Sequence, residues 1–181
     1  MLNITEEKAI ALLRKYAPNE ETFQKILAHS KAVQQASLDV ADTVARNHPC
    51  DKEFIKIAAL LHDIGRNLCP PKTKQSICHG VVGGSLLKHE GFNDKYIRVC
   101  ERHIGIGIAK QDIVEQNLPL PHHDFVPETT EEMIIAYADN LIEGDLQRDE
   151  QYVVERFRKE LGEKYVQRAL EFHKKIHDMM K

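Results

Sequence analysis

The chain has 181 residues, 42% of them hydrophobic, enough to bury a core without disulfide staples and unlike a disordered segment. A formal net charge of −3 and a pI of about 6.4 lack the basic excess of a duplex-binding module, so double-stranded nucleic acid is not the expected partner. The cysteines at 50, 69, 78 and 100 make no CxxC pair, "MLNITEEKAIALLRKY" carries charges where a secretory segment is apolar, and no apolar run has the length of a membrane span. The expectation is a soluble, cytoplasmic protein with reduced thiols and no membrane partner.

The periodicity is helical almost throughout. Thr5 caps a first helix that runs to Tyr16 and stops ahead of Pro18. Asn19 or Glu20 opens a long second helix, with Phe23, Ile26, Leu27, Val33, Val40 and Val44 at helical spacing, ending near Asn47. Asp51 caps a third that carries Phe54, Ile55, Ala58, Ala59 and Leu61 toward Gly65, read as its C′ residue. Residues 67–77, with Pro70 and Pro71, read as a loop. A short helix follows over His79–Glu90, and another from Asn93 to Ile104. Residues 109–117 form a brief helix, and "LPLPHHDFVPET" an irregular connection. Thr129 and Glu132 make a capping box before "MIIAYADNLI". The charged tail keeps Val153, Phe157, Leu161, Val166, Leu170 and Ile176, which predicts one or two helices on the outside of the bundle. Strand-like alternation of useful length is missing. The chain reads as one all-α domain over 1–181, and the tail leaves a homodimer open.

Ten histidines are many for this length, and helical faces sort them. His29 shares a stripe with Ile26, Val33 and Ala36. His62 and Asp63 follow Ala58, Ala59 and Leu60 on an apolar seam. His79 precedes Val82, Gly83 and Leu86; His103 follows Val99 and Cys100 by one turn; Asp139 sits among Ile135, Ala136 and Ile142. Six ionisable residues from five helices are thus predicted to face inward. Burying even a neutral polar group without a partner costs roughly 2–7 kcal/mol, so inward carboxylates need cations. Neutral imidazoles supply none, whereas a divalent metal does. His48, His122, His123, His173 and His177 fall in loops or on charged faces and read as solvated. His89 is left unassigned, and "HHD" at 122–124 reads as a pocket lid or solvated loop.

The order His29, His62–Asp63, Asp139 on helices resembles the HD-domain superfamily of metal-dependent phosphohydrolases, whose fold is an all-helical bundle. "HDIG" at 62–65 is the form of the HDIG subgroup. The likeness extends over about residues 23–143 and leaves a C-terminal helical extension, 149–180, uncovered. "HGVVGGSLL" and "CERHIGIG" look like segments of the two-metal members, which include symmetrical diadenosine-tetraphosphate hydrolases and cyclic-dinucleotide phosphodiesterases. The cyclic-dinucleotide branch also carries a GYP signature, which this sequence lacks, so that branch is disfavoured.

The resemblance implies that Asp63 bridges two ions of iron, manganese, zinc, cobalt or nickel. His29, His62 and Asp139 would complete one site, and His79 and His103 would hold the second. Arg66 stands where many members have lysine, a planar fork suited to clamping phosphate more than to acting as an acid. The implied reaction is hydrolysis of a phosphoester or phosphoanhydride in a nucleotide or related small phosphate by a metal-activated hydroxide, with Asp63 and Arg66 as catalytic residues. Cyclic phosphodiesters and dinucleoside polyphosphates are the favoured substrates. Two other readings share the ligand set: a di-iron oxygenase, and a noncatalytic nucleotide-sensing module, against which the complete ligand set argues.

Overall fold

The computed structural model describes residues 4–69, 71 and 73–181, so Pro70 of the expected loop lies outside the described residues. The chain is an all-helical bundle. In chain order its helices are α1 (Glu6–Tyr16), α2 (Glu20–Val44), α3 (Lys52–Leu61), α4 (His79–His89), α5 (Asp94–Arg102), α6 (Lys110–Glu115), α7 (Thr130–Asn140), α8 (Glu150–Glu160) and α9 (Glu163–Met180). Their starts follow from side chains that satisfy orphan amides. Asn19 accepts from Thr22 N, Asp51 from Phe54 N and Asp149 from Tyr152 N, each at 2.8–2.9 Å. Thr129 and Glu132 form the expected capping box on α7.

Two helices make the centre. In α3, Phe54, Ile55 and every residue from Ile57 to Leu61 are buried; in α7, so is every residue from Glu132 to Ala138. Helices apolar on all sides belong in the middle of a bundle. The long α2 packs on both of them, α4 pairs with α5, and α8 pairs with α9. Each fully buried leucine or isoleucine here stabilises by about 1.5–3 kcal/mol. A buried ion-pair network fastens α5 to α7: Arg98 Nε and Arg102 Nη1 each donate to Glu132 at 3.0 Å.

Several boundaries differ from the sequence reading. The third helix stops at Leu61, not at Gly65, and a 3₁₀ turn runs over Ile64–Asn67. Gly65 does not have the positive φ of a C′ glycine. It is there for close approach, since a Cβ on it would lie 2.0 Å from His79 O and 2.6 Å from Gly83 N. Gly80 is a similar case, its missing Cβ falling 2.6 Å from Cys100 O. Glycines therefore let α4 lie against both the Ile64–Asn67 turn and α5. The second helix ends at Val44 and α5 at Arg102, each short of expectation. The expected 67–77 loop contains a 3₁₀ turn, Lys74–Cys78.

A hairpin, β1 (Ile142–Glu143) and β2 (Leu146–Gln147), was not foreseen, because two-residue strands leave no periodic signal. The tail forms two helices but does not ride on the outside. Val153, Phe157, Val166, Ala169, Ile176 and Met179 belong to the main core, whereas Leu161 and Leu170 are exposed. Among the described residues, no helix is long and apolar enough to cross a membrane.

Gly65→Ala should lower unfolding stability by about 1–3 kcal/mol in urea titrations of metal-free protein, the usual cost of overpacking a rigid contact. Unchanged stability would show that the turn and α4 separate freely.

Candidate metal centre

The six residues singled out in the sequence converge at one end of α3. His62 and Asp63 follow its last residue, His79 opens α4, His103 caps α5, and α2 and α7 present His29 and Asp139. His62, Asp63, His79 and His103 are buried; the His29 and Asp139 side chains keep 18% and 19% exposure, so these two form the mouth of the centre.

All four imidazoles are held the same way. Nδ1 of His62 lies 2.6 Å from Ala59 O, that of His79 2.6 Å from Ser76 O, and that of His103 2.7 Å from Cys100 O. His29 Nδ1 lies 2.7 Å from Gly144 O, in the hairpin. A carbonyl can only accept, so each Nδ1 carries a proton and each ring turns Nε2 inward.

What those Nε2 atoms meet is the diagnostic feature. His79 Nε2 and His103 Nε2 are 3.0 Å apart, and both approach Asp63 Oδ1, at 3.1 and 3.3 Å. His29 Nε2 and His62 Nε2 approach Asp139 Oδ1 at 3.1 and 3.3 Å, and His29 Nε2 lies 3.8 Å from Asp63 Oδ2. His62 Nε2 is buried without a hydrogen-bond partner; its contact with Asp139 sets one lone pair against another. Acceptors packed against acceptors require protons or cations between them. Imidazole nitrogens with carboxylate oxygens are the donor set of first-row divalent ions, so the residues fit such a metal. Ligand-type atoms of His29, His62 and Asp139 lie within 4.8 Å of one another, as do those of His62, Asp63 and His103.

The electrostatics follow. Burial alone raises the Asp63 carboxyl, but contacts from His103 and His79 outweigh it and hold Asp63 well below the usual carboxylate range. Burial likewise raises Asp139, and the adjacent His62 and His29 reverse the effect. Burial depresses His29, yet Asp139 and Asp63 overcome it and lift this imidazole to about 9. For His103 burial prevails, and its pKa is lowered. Cys100 is not a donor here: burial pushes its thiol up, and Sγ donates to Leu61 O at 3.3 Å. The four cysteines are free thiols.

A cleft of about 500 Å³ opens over the centre, lined by Thr22, Lys25, His29, Asp63, Arg66 and Asn67 among others. Arg66 Nε reaches both Asp63 oxygens, at 3.2 and 3.3 Å. Sequence reasoning missed Lys25, Asn67 and Gly144. Asn67, whose side-chain Nδ2 and Oδ1 are buried without partners among the described residues, directly follows the HDIG-R segment, and that adjacency was the available signal. A larger cavity of about 760 Å³ begins at Ile104, one residue after His103, but none of the six residues lines it. The smaller cleft is where chemistry has access. His89, His122 and His123 are exposed and lie outside both metal-type groupings.

A helical bundle with histidines and aspartates converging at the end of a central helix defines a metal-binding scaffold. The HD domain family matches residues 26–144, and the chain belongs to that family of metal-dependent phosphohydrolases. A protein of uncharacterised function from Methanocaldococcus jannaschii is 34% identical over 177 residues, covering 97% of this chain and 98% of that one. A tRNA (cytidine(56)-2′-O)-methyltransferase from Thermoplasma volcanium is 37% identical over 169 residues, 93% of this chain; the chain spans 46% of that relative. The HD domain of the L. monocytogenes phosphodiesterase PgpH, solved in complex with cyclic-di-AMP, superposes with a TM-score of 0.58 at 17% identity, covering 95% of this chain and 92% of that domain. At that identity the likeness is one of fold.

Asp63→Ala should lower the divalent-metal content measured by elemental analysis by the ions held at this centre while the far-ultraviolet helical signal persists; a variant with the parent's full metal content would remove Asp63 from the centre. The raised His29 gives a pH signature. Its contribution to the metal-free protein is complete below about 6.5 and is lost as pH rises through about 9. Metal must displace that proton, so apparent affinity should climb over the same interval. Calorimetric titrations that show a flat affinity between pH 6.5 and 9 would contradict the assignment.

Proposed function

We propose that the chain hydrolyses a phosphoester or phosphoanhydride bond in a nucleotide or related small phosphate, using two divalent ions held by His29, His62, Asp63, His79, His103 and Asp139. The observation that carries this reading is Asp63, whose Oδ1 faces His79 and His103 while Oδ2 faces the His29 side. One carboxylate turned toward two separate groups of donors is the arrangement of a bridging ligand. Bound divalent ions supply an acidified water, with a pKa lowered from 15.7 toward about 7, and neutralise phosphoryl oxygens.

The chain's own residues do the rest. Lys25 and Arg66 put positive charge at the cleft in a protein of net charge −3, which favours an anionic substrate. Arg66 has its guanidinium against Asp63, at the floor of the cleft, where a fork can grip two phosphate oxygens. A cleft of about 500 Å³ falls in the range for nucleotide-sized ligands. The cyclic-di-AMP complex of the PgpH domain and the tRNA-modifying relative support nucleotide chemistry in general terms. The missing GYP signature still speaks against a cyclic dinucleotide as first choice, which leaves dinucleoside polyphosphates and other cyclic phosphodiesters in front.

Protein loaded with manganese, iron or cobalt and offered diadenosine polyphosphates, 2′,3′-cyclic and 3′,5′-cyclic nucleotides and cyclic-di-AMP should release a phosphorylated product from at least one class. Oxygen consumption without phosphate-bond cleavage would replace this reading with the oxygenase one. Arg66→Ala should lower kcat roughly 100-fold at unchanged metal content, the usual loss for one charge-stabilising donor, with Arg66→Lys in between. Equal turnover by Arg66→Ala would remove Arg66 from the phosphate.

A further inference from the structure

A second set of metal-type donors stands apart from the centre, where α9 meets α8. His173 and His177 are four residues apart on α9, so their imidazoles share one face. Glu150, the first residue of α8, lies against both. Its Oε1 is 2.8 Å from His177 Nε2, and its Oε2 is 3.8 Å from His173 Nδ1. From α7, the Tyr137 hydroxyl donates to Glu150 Oε1 at 2.6 Å, and its ring stands edge-on to both imidazoles.

His173 is the unexplained member. It was read from sequence as solvated on a charged face, yet it is 3% exposed, and neither ring nitrogen has a hydrogen-bond partner among the described residues. Leaving a buried polar group unpaired costs about 1–3 kcal/mol. Two imidazoles on one face of α9 and a carboxylate from α8 are the donor types of a divalent transition ion.

We propose that Glu150, His173 and His177 bind one divalent transition ion of the zinc type, independent of the centre at Asp63. Two imidazoles and a carboxylate are a zinc donor set, and the Tyr137 hydroxyl orients the carboxylate from behind. Donors about 2.0–2.2 Å from a tetrahedral ion lie roughly 3.3–3.6 Å from each other, and the two His–Glu150 separations, 2.8 Å at Oε1 and 3.8 Å at Oε2, fall on either side of that spacing. The three donors do not meet the 4.8 Å mutual spacing of the groups at the centre, so the ion has to draw them together. His177, with 48% of its side chain exposed, has the freedom to swing. The ion would clamp α8 to α9 and leave its fourth position to solvent.

The test counts ions. Chelator-stripped protein, re-equilibrated with zinc and desalted, should hold one equivalent more than His177→Ala treated identically. In the Asp63→Ala background one zinc should remain, and Asp63→Ala/His177→Ala should hold none. An anomalous map from zinc-soaked crystals should show density at Glu150, and His177→Ala should weaken that site at least tenfold. Equal zinc content in parent and His177→Ala, or no anomalous density at Glu150, would overturn the proposal and leave only a His177–Glu150 ion pair. Because these readouts need no turnover, their failure is separable from that of the proposed hydrolase activity.

Discussion

Four imidazole Nδ1–H groups committed to backbone carbonyls are the constraint on which the centre depends. Once Ala59, Ser76, Cys100 and Gly144 accept those protons, the rings cannot relieve one another by switching tautomer. Their Nε2 atoms then point at each other and at Asp63 and Asp139. A neutral core would expel such a cluster. It persists because the backbone holds each ring from behind, and cations entering in front would relieve it. Three of the four bonds run to the carbonyl three residues earlier, at or beside a helix or turn end, where carbonyls lack intrahelical partners. The same bond fixes a ligand and finishes a helix.

Precision at the centre is inherited from packing well away from it. Asp63 closely follows the end of α3 and Asp139 lies on α7, the two helices buried on nearly every side, so neither backbone has room to drift. Glu132 is gripped by Arg98 and Arg102, which registers α5, and with it His103, against α7. Gly65 and Gly80 have the complementary role. By omitting a Cβ they let α4 bring His79 within reach of Asp63. Replacing a ligand removes a donor. Replacing one of these glycines moves a donor, and a shift near 1 Å is enough to separate a ligand from its ion.

Much of this was legible in sequence, and the legible part has a common physical character. Caps such as Asn19, Asp51 and Thr129 act within three residues, so their signals are local. The inward placement of His62, Asp63, His79 and His103 follows from each helix's own apolar stripe. What was not legible depends on other elements. Gly65 reads as a helix stop until α4 is seen 2.0 Å from where its Cβ would be. Gly144 orients His29 across 115 positions of sequence. His173 looks solvated on a charged helix, and it is α7 and α8 that bury it. The 142–147 hairpin leaves no periodicity at all, and yet one of the ligand rings hangs from its turn.

Helix position also explains why the two clusters differ. A histidine at a helix end finds a spare carbonyl one turn back, and His62 and His103 both use it. In mid-helix that carbonyl is already taken by the helical ladder, so the ring must look elsewhere. His29, in the interior of α2, is supplied by the hairpin carbonyl of Gly144. His173, in the interior of α9, meets no such acceptor, and both its nitrogens are unpaired among the described residues. The first centre is therefore held rigid by the backbone before any ion arrives, as a site for chemistry has to be. The set on α8 and α9 is held only by Glu150, Tyr137 and packing, so an ion there would complete the structure around itself, as suits a clamp and not a catalyst.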